Sequence, residues 1–251
     1  MSKPLVLVTG SAGRIGQAVV KELVARSHPV RGFDRVPTPG LEDAIVGSIT
    51  DADTVRRSVQ GVKTLIHLAA TPDDCDDVVG ELVPNNIVGV YHLLEAAREA
   101  GVQRLILASS GQVVWYLREV GPWPIGVEVL PRPKYWYAAT KMFLESIGRS
   151  FVDVHGLSVL IVRLGWCPRT REQVEEIRSL DWAKDVYLSP GDAGRFYASA
   201  VEAPAFDFGI VYATSIPYAK ERVSLQPARA LLGYEPQEKW PQGIELIVGN
   251  R

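Results

Sequence analysis

The chain has 251 residues, enough for one α/β domain with a large core and too few for two full-sized domains. Lys and Arg number 27 against 29 Asp and Glu, so the net charge of −2 offers no basic field for nucleic acid or an anionic membrane, and we expect a small-molecule partner. No apolar run approaches the roughly 18 residues of a membrane span, and the N-terminus leaves no room for a signal peptide, so we expect a cytoplasmic protein. Cys75 and Cys167 lie far apart in the sequence without a paired motif, which predicts two free thiols and no metal site.

Short apolar runs alternate with amphipathic stretches along the first two thirds of the chain. Helices are predicted from Ile15, Ile87 and Lys141, where apolar residues recur at spacings of three and four. The apolar runs are typical of buried strands and lie at 4–10, 29–34, 64–70, 104–110 and 158–165. This alternation predicts parallel βαβ units with right-handed crossovers and helices on both faces of the sheet.

The last third of the chain has a looser pattern. Prolines make residues 120–136 a loop, and helices near 170–180 and 190–203, a strand at 208–214 and a closing segment at 227–236 follow. We therefore divide the domain into a core of residues 1–165 and a small C-terminal region of residues 166–251 that covers the catalytic edge of the sheet.

The first strand runs into a helix through the glycine-rich segment TGSAGRIG. Gly10 would allow a tight turn, Gly13 the close approach of a pyrophosphate, and Gly16 close packing of the helix. A plain strand-to-helix turn would look the same, but Asp34 ends the second strand where an acidic residue would bind the ribose hydroxyls of a dinucleotide. This carboxylate repels a 2′-phosphate and favours NAD, whereas Arg14 or Arg35 could pair with that phosphate.

Tyr137 and Lys141 are four residues apart, so on a helix they share one face. The pair alone arises often by chance. If functional, the ammonium group would favour the phenolate and lower the pKa of the tyrosine by roughly one to three units. Ser110, which ends an apolar strand, would then donate a hydrogen bond to the substrate oxygen while Tyr137 removes its proton.

Five segments in order carry a family resemblance: TGSAGRIG, HLAA at 67–70, NNIVGVYHLLEAA, LASS and YAATK. Together they resemble the short-chain dehydrogenase/reductase superfamily, and most closely its extended, epimerase-like branch. The length and the segment VRLGWC are similar to uronate dehydrogenases, which oxidise hexuronic acids at C1. The resemblance implies a Rossmann-type doubly wound parallel sheet, an NAD cofactor and a homodimer.

The resemblance also assigns residues. Ser110, Tyr137 and Lys141 would be catalytic. The cofactor would contact Gly10, Ala12, Gly13, Arg14, Ile15, Gly16, Asp34, Arg35, Ser48, Ile49, Leu68, Ala69, Ala70, Asn86, Tyr137 and Lys141. The substrate would contact Thr71, Ser110, Gly111, Gln112, Trp166 and Arg171.

Several positions depart from the family pattern. Ser48 replaces an acidic residue beside the adenine, where Ile49 and Asp51 can still frame the base. Gly111 and Gln112 replace the Asn-His pair of uronate dehydrogenases, and Trp166 replaces a small serine. Arg169 or Arg171 could hold a substrate carboxylate, although either is as compatible with a solvated loop charge.

The prediction is an NAD-dependent oxidation of a hydroxyl on a sugar or sugar-acid-like compound. Two alternatives remain: a nucleotide-sugar epimerase or dehydratase, and a non-catalytic dinucleotide sensor or scaffold. His67 lies inside an apolar strand and is predicted to be a packed core residue rather than a metal ligand. The acidic segment 73–77 is predicted to open the next helix, where negative charge is favourable.

Overall fold

A computed structural model of the protein describes residues 3–73 and 75–245. Within them a parallel sheet has the strand order β3-β2-β1-β4-β5-β6-β7. The strands are β1 Val6–Thr9, β2 Val30–Asp34, β3 Ala44–Val46, β4 Thr64–His67, β5 Arg104–Ser110, β6 Ser158–Leu164 and β7 Phe208–Ala213. The predicted Rossmann-type, doubly wound sheet is confirmed.

Helices cover both faces of the sheet. They are α1 Arg14–Ala25, α2 Ala52–Ser58, α3 Gly89–Glu99, α4 Leu117–Val120, α5 Trp136–His155, α6 Arg171–Ser179, α7 Asp181–Asp185, α8 Pro190–Glu202 and α9 Gln226–Leu232. Two π-helical turns, Val78–Leu82 and Pro84–Val88, lead into α3, and a 3₁₀ turn, Gly111–Val114, follows β5. None of the helices in the described ranges combines the length and the apolar character needed to cross a bilayer.

Two apolar cores lie on opposite faces of the sheet. One joins α2, α3 and α5 to the strands through residues such as Leu93, Leu144 and Phe151. The other joins α1, α8 and α9 through residues such as Leu23 and Phe196. Burial on both faces explains why the strands are continuous apolar runs.

Residues after 165 contribute to the same sheet. Strand β7 pairs in parallel with β6, with Val159 opposite Phe208, and α8 packs on α1. Residues 166–251 therefore supply a strand and a helix of the core as well as segments above the sheet. The predicted division into a core of residues 1–165 and a covering region of residues 166–251 stays a prediction.

The order of the strands reverses between β1 and β4. The chain runs from β1 outward to β2 and β3, then returns to β4 and continues in the other direction. At such a point two successive crossovers lie on opposite faces and leave a crevice at the carboxyl ends of the strands. The segment after Thr9 and the segment after His67 meet there.

Candidate active site

A cavity of about 1050 Å³ lies at the carboxyl ends of β1, β2, β4, β5 and β6. The predicted residues that line it are Gly10, Ala12, Gly13, Arg14, Ile15, Gly16, Asp34, Arg35, Ser48, Ile49, Leu68, Ala69, Ala70, Thr71, Ser110, Gly111, Gln112, Tyr137, Lys141 and Trp166. Two predicted residues, Asn86 and Arg171, are not among its lining. The glycine loop, the serine strand and the tyrosine helix therefore face one common space.

The glycine loop has the geometry of a phosphate cradle. Gly10 has a φ of +70°, and a Cβ atom there would lie 2.8 Å from the main-chain nitrogen of Ala69, so only glycine fits this crossing point. A Cβ atom on Gly16 would overlap the carbonyl group of Gly10. The loop leads directly into the N-terminus of α1, where the helix dipole favours negative charge.

Asp34 is fixed at the end of β2 by the same loop. Its Oδ2 atom accepts a hydrogen bond of 3.0 Å from the main-chain nitrogen of Ala12, and its Oδ1 atom accepts one of 2.6 Å from that of Arg35. The carboxylate lines the cavity between the loop and the segment that contains Ser48. A carboxylate beside a glycine loop fits the diol of an adenine ribose, so the residues present fit NAD.

Arg14 contacts the segment that follows β6. Its Nη2 atom donates to the carbonyl oxygen of Arg169 at 3.2 Å. Arg169 in turn donates to the carbonyl of Pro72 at 2.9 Å and pairs with Asp73 at 3.1 Å. These contacts join three separate segments across the opening of the cavity.

Lys141 lies one helical turn after Tyr137 on α5 and is buried. Its Nζ atom donates a hydrogen bond of 3.0 Å to the carbonyl of Ala108 and lies 5.6 Å from the centre of the Tyr137 ring. Burial lowers the pKa of Lys141 to about 8. Ser110 ends β5 in the same wall, and its Oγ atom accepts from the main-chain nitrogen of Gln112 at 3.1 Å.

His67 is a buried residue that ties two strands together. Its Nδ1 atom lies 2.9 Å from the hydroxyl oxygen of Thr9, which also accepts from the nitrogens of Leu68 and Ala69 at 3.3 Å. Burial, with a smaller contribution from the charge of Lys141, lowers the pKa of His67 to about 3, so the ring is neutral. Among residues 3–73 and 75–245, no group of His, Cys, Asp and Glu side chains could hold a metal ion.

Asn86 acts on the backbone behind the cavity. Its Oδ1 atom accepts from the nitrogen of Thr71 at 2.8 Å, while Nδ2 donates to the carbonyl of Thr71 and the hydroxyl of Thr140, both at 3.1 Å. Thr140 precedes Lys141 on α5. Asn86 therefore sets the position of the segment after β4 relative to α5, and direct contact with the cofactor stays a prediction.

The two candidate arginines after β6 lie in different places. Arg169 lines the cavity, whereas Arg171 is exposed on the first residue of α6. A role for Arg171 in substrate binding stays a prediction.

Two acidic positions predicted from the sequence cap helices. Asp51, expected near the adenine, caps α2 by accepting from the nitrogens of Asp53 and Thr54. The segment 73–77 does cap a helical turn, since Asp77 accepts from the nitrogen of Gly80 at 2.7 Å, while Asp74 lies outside the described residues.

A buried ion pair behind Ser110 has no signal in the sequence. Arg163 on β6 binds Glu145 on α5 through two hydrogen bonds of 2.9 and 2.8 Å, and the hydroxyl of Ser109 donates to Glu145 at 2.6 Å. Arg163 also donates to the hydroxyl of Tyr212 at 3.2 Å. The network joins α5, β5, β6 and β7 through Ser109, the residue before Ser110.

Trp115 and Trp182 also line the cavity, although the sequence analysis did not select either of them. Trp115 follows the 3₁₀ turn after β5, and Trp182 lies on the short helix α7. The ring of Trp182 lies between the other two, with its centre 5.9 Å from that of Trp166 and 6.2 Å from that of Trp115. Trp115 and Trp166 lie outside regular elements and Trp182 lies on a helix of five residues, so no periodic pattern predicts that the three rings lie together.

Comparison with known proteins agrees with this geometry. The profile of the NAD dependent epimerase/dehydratase family matches residues 6–166. The L-arabinose 1-dehydrogenase (NAD(P)(+)) of Haloferax volcanii is 31% identical over 256 aligned positions, covering 96% of this chain and 99% of its own. The uronate dehydrogenase of Pseudomonas syringae pv. tomato is 29% identical and covers 83% of this chain and 74% of its own.

Among solved structures, the glucuronic acid dehydrogenase from Chromohalobacter salexigens superposes with a TM-score of 0.81 at 27% identity, covering 99% of this chain and 91% of that one. The profile match spans more than half of the chain and includes the glycine loop, the serine strand and the tyrosine helix. The chain therefore belongs to the NAD dependent epimerase/dehydratase family.

Proposed function

We propose that the protein oxidises a hydroxyl group of a sugar or sugar-acid-like compound with NAD. The observation that carries the proposal is the common cavity, in which Tyr137, Lys141 and Ser110 face the same space as the glycine loop and Asp34. The dehydrogenase relatives of the family support the same reaction class.

In the proposed reaction Tyr137 accepts the proton of the substrate hydroxyl group. Ser110 donates a hydrogen bond to the same oxygen and holds it as negative charge develops there. NAD, when bound, accepts the hydride from the carbon that carries this oxygen. The C–H and O–H bonds break, a C=O double bond forms, and the products are a carbonyl compound, NADH and one proton.

Lys141 has two proposed roles. As an ammonium group 5.6 Å from the centre of the phenol ring, it favours the phenolate form of Tyr137. Its hydrogen bond to Ala108 fixes the ammonium group near the end of β5. A lysine held in this position can also donate to a nicotinamide ribose, which would align the cofactor with the base.

Three groups of assignments belong to this proposal. Gly10, Gly13 and the start of α1 would bind the pyrophosphate, Asp34 the adenine ribose, and the segment from Leu68 to Ala70 the nicotinamide ribose. The adenine would lie against Ser48 and Ile49, which line the cavity. Thr71, Gln112 and Trp166 would face the substrate, and Arg171 would reach it only by rearrangement of its exposed side chain.

We also propose a homodimer, as the family resemblance implies, through the outer faces of α3 and α5. Tyr91 on α3 and Val88, one turn before it, are exposed apolar residues on one side of the helix, with exposed fractions of 61% and 40%. Light scattering in solution tests this directly, and a monomer at micromolar concentration contradicts it.

The enzymatic proposal is tested by measuring NADH formation with aldoses, uronic acids and polyols. Formation of NADH with any of them supports a dehydrogenase. An epimerase would instead interconvert sugars without net NADH, which chromatography of the products detects. A protein that binds NAD by calorimetry but transforms none of these compounds would be a dinucleotide sensor or scaffold.

A further inference from the structure

Three tryptophans from separate parts of the chain form a continuous wall of the cavity, here called the indole wall: Trp115, Trp166 and Trp182. The rings of Trp166 and Trp182 are stacked, with centres 5.9 Å apart and planes at 26°. Trp115 meets Trp182 edge to face, at 6.2 Å and 72°. All three side chains are half-buried, so they offer apolar surface to the cavity.

The indole wall is held in place before any ligand binds. The nitrogen of Trp166 donates to the carbonyl of Val186 at 2.7 Å, and the nitrogen of Leu188 donates to the carbonyl of Trp166 at 3.0 Å. Behind the wall, Trp166 and Trp182 pack against a small buried cluster that includes Ile177 and Tyr187. A rigid apolar surface of this kind binds a flat partner at a low cost in side-chain entropy.

Three of the five described arginines that line the cavity pair with acidic side chains within 3.1 Å: Arg163 with Glu145, Arg169 with Asp73, and Arg222 with Asp185. The other two are Arg14, which donates to the carbonyl of Arg169, and Arg35, which follows Asp34 at the glycine-loop end. Two of these acids, Glu145 and Asp185, are buried, so separating either one from its arginine would leave a charge uncompensated. A carboxylate on the substrate would have to compete with these pairs.

Uncharged hydrogen-bonding groups accompany the indole wall. Gln112, Gln173 and Thr214 line the cavity together with Ser110. The side-chain amide of Gln112 makes no hydrogen bond in the part of the chain that the structure describes. It can both donate to and accept from a hydroxyl group, which suits a ligand that carries several of them.

From these features we infer that the substrate is a neutral aldose, which lays the C–H face of its ring on the indole wall and turns its hydroxyl groups toward Gln112 and Ser110. Polarised C–H groups are attracted to the negative face of an indole ring. The inference rests on the proposed function and narrows it, because it excludes the hexuronates as preferred substrates.

The test compares initial rates of NADH formation for neutral aldoses, the matching hexuronates and an alicyclic mono-alcohol. Neutral aldoses are expected to have the highest kcat/KM, by at least about tenfold over the hexuronates. Preference for a hexuronate overturns this inference and leaves the dehydrogenase assignment intact. Preference for the mono-alcohol overturns the polyhydroxyl assignment. Turnover of none of these compounds contradicts the proposed function itself.

Variants of the indole wall test its role directly. Trp182→Ala is expected to raise the KM for the neutral aldose about tenfold and to change kcat by less than about threefold, because stacking acts on bound substrate and transition state alike. Trp182→Phe keeps an aromatic face and should stay within about threefold of the wild-type KM. The dissociation constant of NAD, measured by calorimetry, should be the same in all three proteins.

Unchanged KM in a Trp182→Ala protein that still binds NAD overturns the inference. If that variant fails to bind NAD and is therefore misfolded, Trp115→Ala provides the second measurement, since Trp115 lies outside the packed cluster behind the wall. A KM that remains unchanged in Trp115→Ala, with NAD binding retained, likewise overturns it.

Discussion

Lys141 donates a hydrogen bond of 3.0 Å to the main-chain carbonyl of Ala108, two residues before Ser110. A side chain on α5 is thereby joined to β5, the strand that ends at Ser110. The same ammonium group is buried, and burial lowers its pKa to about 8. The protein therefore keeps a charged group in an unfavourable environment at neutral pH, 5.6 Å from the centre of the Tyr137 ring.

The first prediction is that Lys141→Met stabilises the fold and removes hydride transfer. At about 1.4 kcal/mol per pKa unit, the fall from 10.5 to about 8 costs the wild type about 3 kcal/mol at pH 7. Loss of the hydrogen bond to Ala108 offsets about 1 kcal/mol. Urea denaturation at pH 7 should therefore show a gain of about 2 kcal/mol.

This gain depends on pH in a defined direction. Between pH 8 and 10.5 the unfolded lysine binds more protons than the folded one, so the stability of the wild type rises with pH. The advantage of Lys141→Met should shrink across this window. Two results would show that burial does not destabilise the charged form of Lys141. One is a Lys141→Met variant that is less stable than the wild type at pH 7, and the other is a stability advantage of the variant that grows above pH 8.

The second prediction concerns the base. Tyr137→Phe removes the group that accepts the proton and should lower kcat by at least about 10²-fold while NAD binding stays within about threefold. Tyr135→Phe is a matched control, because Tyr135 is half-exposed two residues earlier and does not line the cavity. Near wild-type turnover in Tyr137→Phe would refute the assignment of the base.

The third prediction concerns discrimination between NAD and NADP. Asp34→Asn keeps one of the two oxygens that accept from the nitrogens of Ala12 and Arg35, and it removes the negative charge that repels a 2′-phosphate. The ratio of kcat/KM for NADP to that for NAD should rise about tenfold or more. Asp43→Asn, a change at an exposed acid paired with Arg31, should leave the ratio unchanged.

A wild-type protein that already prefers NADP would contradict this account. In that case Arg35, which lines the cavity next to Asp34, would be the residue to test for a contact with the 2′-phosphate. Arg14 is less suited to the task, since its guanidinium group donates to the carbonyl of Arg169.

The sequence predicted the buried strands well and the sheet edge poorly. Strands β1, β4, β5 and β6 are buried along most of their length, so each is a visible apolar run. Strand β3, Ala44–Val46, has three residues that are partly or fully exposed, and neither it nor α2 was predicted. Because β3 was missed, Ser110 ends the fifth strand rather than the fourth.

The residues at the glycine-loop end of the cavity were predictable from the sequence, and the contacts at the indole-wall end were not. Gly10 and Asp34 lie at fixed distances from strand ends, so their positions follow from local sequence. By contrast, Arg169 pairs with Asp73, which is 96 residues away, and Trp115 meets Trp182, which lies 67 residues further along the chain. Contacts of that separation depend on how the segments after β4, β5 and β6 fold over the sheet edge.

The last prediction concerns the buried pair of Arg163 and Glu145, whose side chains are only 2% and 6% exposed. Glu145→Leu leaves a buried guanidinium without its carboxylate and should lower the free energy of unfolding by about 3–5 kcal/mol. The double variant Arg163→Met with Glu145→Leu removes both charges and should recover most of that loss, because desolvation of the pair no longer opposes folding. Denaturant unfolding of the two variants measures the difference. A double variant as unstable as Glu145→Leu alone would mean that the hydrogen bonds to Ser109 and Tyr212, rather than the charge balance, hold the sheet to α5.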